Sequence, residues 1–315
     1  MHLLENANLF VTGGAGTLGK AIARRRKLEG WKGRLTVYST DSEKHEKMRR
    51  LYPDVNYVPG DIRFLEPLYN AMAGHDVCIH AAAVKRIPEA EYSSIDCTDI
   101  NINGSLNVCA AAVRAGVQHV LGISTDKACH PANAYGATKM LMEKVFQEYA
   151  ALDFETQFHL VRYGNVLEST SSVIEMWKRA VANGEAVKVT DPEMTRFWLS
   201  PSQAVDYVVD SLDCSPGFIY VPKMPALSIG KLLEYTLDGK RFVTQRVPLR
   251  PGEKKHETLV TVEELDRTLQ DDELFVVRPS TEPLHPGNHP TEPYTSSCTR
   301  ELTPWELEEL LKDER

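Results

Sequence analysis

The chain reads as an α/β protein, a doubly wound parallel sheet with a smaller C-terminal lobe. Three observations predict this: short apolar runs that alternate with helical patterns, a glycine-rich loop directly after the first run, and a weaker rhythm past about residue 165. Leu9–Val11 reads as the first strand, followed by the loop and a helix from about Leu18 to Leu28. Arg24, Arg25, Arg26 and Lys27 fall near the end of that helix, where its dipole favours cations, so they read as a solvated helix end. Leu35–Tyr38, Val55–Pro59, Val77–His80, Val120–Ser124 and Phe158–Tyr163 repeat the strand signal at spacings that leave room for crossover helices. A nucleotide-binding domain is therefore expected over 1–165 and a substrate-binding lobe over 166–277, with some return to the core. Residues 278–315 read as an extended tail ending in a helix: 278–304 holds six prolines, and Thr303-Pro304-Trp305-Glu306 opens the helix with a capping box.

The bulk numbers narrow the function. A length of 315 residues suits a large core plus a smaller lobe, and a net charge of −8 argues against non-specific nucleic-acid binding. No apolar run approaches the ~20 residues of a spanning helix. Met1–Asn8 lacks the basic and apolar stretches of a signal peptide, so no membrane partner and a cytoplasmic location are expected. The six cysteines are scattered without metal-ligand spacing and read as reduced, packed thiols, so no metal is expected.

Thr12-Gly13-Gly14-Ala15-Gly16-Thr17-Leu18-Gly19 joins the first strand to the first helix. Gly13 permits the tight turn, Gly16 close approach of a pyrophosphate, and Gly19 close helix–strand packing; Thr17 and Leu18 open the helix whose free amides bind phosphate. This is the Rossmann-type arrangement for a dinucleotide. At the end of the second strand, where an acid usually holds the ribose of NAD, stand Ser39 and Thr40, with Lys44 soon after. Hydroxyls and a lysine suit a 2′-phosphate, so NADP is expected, while Asp41 leaves NAD open and no arginine offers a clamp. Asp61 and Ile62 follow the third strand, where an adenine edge would lie; Asp61 reads equally as a helix cap.

Ser124-Thr125-Asp126-Lys127 ends the fifth strand, and Tyr135 and Lys139 begin the next helix four residues apart, on one face. An ammonium beside a phenol favours the phenolate and so a usable base. Alone, the spacing reads as a surface pair; after the fifth strand of a nucleotide-binding sheet it reads as catalytic.

These residues, with His80-Ala81-Ala82-Ala83-Val84-Lys85, Arg162-Tyr163-Gly164-Asn165-Val166, Met194-Thr195-Arg196-Phe197-Trp198 and Arg250-Pro251-Gly252-Glu253-Lys254 followed by His256-Glu257, carry a resemblance. The chain resembles the extended short-chain dehydrogenase/reductases and, within them, the soluble UDP-N-acetylglucosamine 4,6-dehydratases that invert C5. The resemblance implies that Tyr135 takes the C4 hydroxyl proton while hydride moves to the nicotinamide, and that Lys139 holds the ribose. Lys127 would then remove the C5 hydrogen, provided burial and nearby charge lower its pKa, and protonated Asp126, beside Thr125, would help water leave C6. Hydride returns to C6, so the cofactor is recycled. Asp126 and Lys127 also read as a plain ion pair at a strand end.

Ala81, Ala82, Ala83, Lys85 and Asn101 would complete the cofactor site on the same resemblance. Lys85, Asn165, Thr195, Arg196, Arg250 and Glu253 would hold a UDP-sugar, with Arg250 the main cation for its diphosphate. The expected partners are that substrate and further copies of the chain. One departure stands out: Leu167-Glu168-Ser169-Thr170-Ser171-Ser172 replaces a Gly-Ser-Arg-Gly-like stretch, so Glu168 is expected to face solvent or meet hydroxyls rather than phosphate.

Overall fold

The computed structural model describes residues 3–167 and 173–312. Its centre is six parallel strands: β1 (Leu9–Thr12), β2 (Leu35–Ser39), β3 (Asn56–Pro59), β4 (Val77–His80), β5 (His119–Thr125) and β6 (Gln157–Tyr163). These are the six apolar runs of the sequence, in the order β6-β5-β4-β1-β2-β3. Every residue of β1 and β4 is buried, because helices cover both faces of a parallel sheet. The helices are α1 (Thr17–Glu29), α2 (Ser42–Leu51), α3 (Leu65–Met72), α4 (Ile87–Tyr92), α5 (Ser94–Thr98), α6 (Gly104–Ala115) and α7 (Ala134–Ala151). α5 runs into α6 through a wide π turn at Asp99–Asn103, a feature that often marks a functional wall. β1 pairs with β2 on one side and β4 on the other, both in parallel, so the strand order reverses here and a crevice opens at the strands' carboxyl ends.

The rest of the chain divides between sheet and lobe. Its elements are β7 (Asn165–Val166), α8 (Val173–Ala182), β8 (Val187–Val189), β9 (Thr195–Leu199), α9 (Pro201–Ser211), β10 (Ile219–Pro222), β11 (Ala226–Ser228) and α10 (Ile229–Thr236). β12 (Thr244–Arg246), β13 (Thr258–Val260), β14 (Thr268–Gln270), β15 (Leu274–Val277), β16 (Tyr294–Thr295) and α11 (Pro304–Lys312) complete it. β10 joins β6 in parallel, and β15 and β14 follow antiparallel, extending the sheet to nine strands. The lobe has its own apolar core, where Trp177 of α8, Val187, Trp198, Leu232, Leu233 and Leu307 meet. α11 therefore packs inside the lobe although it ends the chain. Its start is the capping box read from sequence: Glu306 N–H donates to Thr303 Oγ1 at 3.2 Å, and Thr303 N–H to Glu306 Oε2 at 2.8 Å.

Candidate active site

A cleft of about 750 Å³ runs along the carboxyl ends of the strands. Gly13, Gly16, Thr17 and Leu18 line one end. Gly13 has φ +64°, and a Cβ there would stand 2.7 Å from the Ala82 backbone, so only glycine lets the loop meet the turn after β4. Gly19 lies behind the lining, where a Cβ would be 1.9 Å from the Gly14 carbonyl oxygen; it is a packing glycine. Gly16 is the N-cap of α1, no side chain caps that end, and its first turn holds no acid. The first-turn amides are thus left for an anion from outside.

Ser39, Thr40, Asp41 and Lys44 line the next stretch, with Asp61, Ile62 and Arg63 facing them. Asp41 caps α2 by accepting the Lys44 N–H at 2.9 Å, and its other oxygen meets Lys44 Nζ at 2.8 Å. Ser39 Oγ lies 2.7 Å from Nε2 of the buried His45. Asp61 does not cap α3, whose cap is Phe64; it accepts from Arg63 Nε at 2.9 Å and Nη2 at 2.6 Å. Arg63, which follows β3 and which the motif reading did not single out, thus lines the cleft paired with Asp61. Ala81, Ala82, Ala83 and Lys85 form the opposite wall.

Asn101 lies outside the lining. It is buried in the π turn, where Oδ1 accepts the Val84 N–H at 2.8 Å and Nδ2 donates to Val84 O at 3.1 Å and Thr138 Oγ1 at 2.9 Å. It braces the wall of the cleft against α7.

Thr125, Lys127, Tyr135 and Lys139 meet in the middle of the cleft. Gly136 makes this possible: a Cβ there would stand 2.2 Å from the Lys127 carbonyl oxygen, so α7 starts hard against the turn that carries Lys127. Asp126 is fully buried; its Oδ1 accepts from Thr125 Oγ1 at 2.8 Å and Lys127 Nζ at 2.8 Å, and its Oδ2 has no hydrogen-bond partner. Burial pushes the Tyr135 phenol up, Lys127 and Thr125 pull it down, and the balance lies at about 12. Burial lowers the Lys139 amine to about 8. Lys127 is thus a cation acting on Tyr135 that the four-residue spacing did not point to.

A correction concerns Lys127 itself. Burial disfavours its charge, but Asp126 and Glu257 outweigh burial and raise its pKa, where the sequence reading required it to fall. Asp126, the adjacent residue, contributes most, and Glu257 adds to it from a distant loop, with Oε1 3.7 Å from Lys127 Nζ. Asn165 Oδ1 accepts from the same ammonium at 3.1 Å and lines the cleft.

The other proposed substrate residues lie apart. Arg196 is buried, and its guanidinium donates to the carbonyls of Thr195 at 2.8 Å, Lys254 at 2.9 Å and Lys255 at 3.2 Å. Its fork is spent within the fold. Thr195 Oγ1 meets His256 Nδ1 at 2.8 Å and Ser296 Oγ at 2.7 Å. Arg250 is exposed on a loop outside the lining, and Glu253 Oε2 accepts its backbone N–H at 3.3 Å. Leu167, Val173, Ile174 and Trp198 form the lobe's side of the cleft; Glu168–Ser172 lie outside the described residues. No helix among the described residues is long and apolar enough to cross a membrane.

Comparison with known proteins places this geometry in a family. The model of the polysaccharide biosynthesis protein family matches residues 9–279. A UDP-N-acetylglucosamine 4,6-dehydratase (inverting) of Campylobacter jejuni is 34% identical over 285 residues, 88% of this chain and 84% of its own. A UDP-glucose 4-epimerase of Rickettsia conorii is 33% identical, covering 98% of this chain and 96% of its own. Among solved structures, Pen from Bacillus thuringiensis superposes with a TM-score of 0.91 at 27% identity, over 99% of each chain. With the matched region spanning β1 to just past β15, the chain belongs to the polysaccharide biosynthesis protein family.

Proposed function

We propose that the chain is a nucleotide-sugar 4,6-dehydratase that takes UDP-N-acetylglucosamine and recycles a nicotinamide cofactor, with NADP preferred over NAD. The observation that carries this reading is the Asp126–Lys127 pair, hydrogen-bonded at 2.8 Å and set beside Tyr135 in one cleft. The name of the C. jejuni relative supports it. The cofactor fits the uncapped start of α1, and Ser39, Thr40 and Lys44 offer donors suited to a 2′-phosphate. When bound, the cofactor supplies hydride chemistry, accepting hydride from C4 and returning it to C6.

The chain's own residues handle protons. Tyr135 accepts the C4 hydroxyl proton as the ketone forms, and that ketone acidifies the C5 hydrogen. The 2.8 Å bond between Asp126 and Lys127 then lets one proton change owner. Moving it from the ammonium to the carboxylate yields an amine base and a carboxylic acid together. The amine removes the C5 proton, and the acid protonates the departing C6 hydroxyl as water. Elimination leaves the ion pair again; the Lys127 ammonium then gives a proton to C5, and the amine left behind regains one from Tyr135, which holds the proton taken from the C4 hydroxyl. A raised Lys127 pKa is the resting half of this cycle.

A 4-epimerase is the second reading, favoured by the near-complete coverage of the R. conorii relative. Epimerisation needs only Tyr135 and Lys139, and it leaves an acid–amine pair at the end of β5 without work. Incubation with several UDP-sugars, followed by mass spectrometry and proton NMR, separates the two. A dehydratase gives a product lighter by about 18 mass units, the stoichiometry of one water, and an epimerase gives no mass change. Because Arg250 stands outside the lining, Arg250→Ala is expected to leave UDP-sugar binding near normal; a strong loss of binding would return the residue to the site.

A further inference from the structure

We propose that Glu257 is the positioning residue of the elimination step: its carboxylate holds and aims the Lys127 amine, and Arg196 and Lys254 serve to hold Glu257. This rests on the dehydratase reading. Glu257 is buried, with 2% of its surface exposed. Its backbone is pinned by Ser296, whose Oγ accepts the Glu257 N–H at 2.9 Å and whose N–H donates to the Glu257 carbonyl at 2.8 Å. Oε1 lies 3.7 Å from Lys127 Nζ and 3.8 Å from Arg196 Nε. Oε2 lies 3.1 Å from Lys254 Nζ without an aligned hydrogen bond. Lys254 in turn donates to the Cys129 carbonyl at 2.9 Å, just after the Asp126–Lys127 turn. The carboxylate is thus fixed to the strand-end turn and to β9 at once, and it cannot swing away from Lys127.

This placement solves a problem that Asp126 alone leaves open. The charged groups around Lys127 are Asp126 and Glu257 in contact, Arg196 behind Glu257, and the Tyr135 phenol, with Glu253 3.6 Å from Arg196. Once Lys127 has given a proton to Asp126, the neutral amine keeps two N–H donors and one lone pair. Asn165 Oδ1, bonded at 3.1 Å, and the Glu257 carboxylate, 3.7 Å away and acting through its charge, draw those N–H groups to one side of the nitrogen and so orient the amine. Without Glu257 the amine loses one of the two oxygen groups that orient it. The same arrangement explains why Arg196, offered by the sequence as a diphosphate ligand, faces inward.

The test compares Glu257→Gln and Glu257→Asp with the unmodified full-length chain. Two readouts are needed: the pH dependence with which an amine-acylating reagent labels Lys127, followed by peptide mass spectrometry, and steady-state turnover of UDP-N-acetylglucosamine. In Glu257→Gln the labelling midpoint should fall by about one pH unit or more, because a nearby anion that favours the ammonium is gone. Its kcat should fall about tenfold or more with KM changed less than about twofold, while nicotinamide reduction at the C4 step stays normal. Glu257→Asp restores the charge and should restore the midpoint while kcat stays depressed. If Glu257→Gln fails to fold, Glu257→Asp decides through the same split of midpoint and kcat. An unmoved midpoint in Glu257→Gln, or full kcat in either variant, overturns the proposal. Failure of the unmodified chain to dehydrate any UDP-sugar sinks the dehydratase reading instead, and the labelling midpoint still reports whether Glu257 governs Lys127.

Discussion

Arg162 and Lys127 are neighbours at the end of the sheet, both cationic and both surrounded by carboxylates, yet the fold treats them in opposite ways. Arg162 donates to Glu143 through Nε at 2.9 Å and Nη2 at 2.7 Å, to Glu264 through Nη1 at 2.9 Å and Nη2 at 3.0 Å, and to the Leu259 carbonyl at 2.8 Å. All five guanidinium N–H groups find an acceptor. Around Lys127, by contrast, Asp126 Oδ2 and Glu257 Oε2 are buried without a hydrogen-bond partner. A fully satisfied cluster has one low-energy arrangement and works as a bolt. An incompletely satisfied one keeps acceptors in hand for protons that must move. Glu143 lies on α7 below Lys139, and Ser124 Oγ donates to it at 2.5 Å, so the bolt fastens the helix that presents Tyr135.

The largest effect expected of this contrast is chemical. Lys127→Ala should slow dehydration by about a thousandfold or more while leaving C4 oxidation in place. Nicotinamide reduction without loss of water from the sugar is its signature, and normal dehydration would erase the distinction. The same variant should lose less than about 1 kcal/mol of stability, since Lys127 lines the cleft and water can enter where its ammonium stood.

Arg162→Met should do the reverse. It strands two carboxylates in the interior and should cost about 3–5 kcal/mol in a denaturant titration, with the remaining folded enzyme still active. A smaller loss than that of Lys127→Ala would break the comparison.

Acid sharpens it further. Burial alone would raise the Glu264 carboxyl, but Arg162 overrides burial and holds it at about 2, below its usual 4.5. A carboxyl depressed on folding contributes stability that is fully present above pH 4.5 and is lost as the pH falls from there through about 2. The loss should reach about 3 kcal/mol and should vanish in Arg162→Met, as followed by thermal melting in that pH window.

The smallest effect lies outside both clusters. Lys44→Ala should narrow the preference for NADP over NAD by about tenfold in binding titrations, on the value of one charge-assisted contact. Tighter binding of NAD by the unmodified chain would reverse the cofactor assignment.

Local pattern carried much of this protein. The six parallel strands, the glycine loop and the terminal capping box each depend on residues within one turn or strand of each other, where steric preference and apolar period decide the outcome. The Tyr135–Lys139 spacing was legible for the same reason, because four residues on a helix share a face whatever the rest of the chain does. Even the meeting of Gly13 with the turn after β4 follows from strand order, once the sheet is known to be parallel.

What tertiary structure alone decided is where the charges face. Arg250, and more weakly Arg196, read as substrate ligands in the sequence, yet Arg196 is buried on loop carbonyls and Arg250 is exposed outside the cleft lining. Asp126 beside Lys127 is plain in the sequence, but nothing local says that Glu257 will stand 3.7 Å away and add to Asp126 in raising the pKa against burial. Electrostatic energy depends on distance through space and on burial, and neither is a function of separation along the chain. Sequence named the candidate residues; the fold decided which charges stand around them.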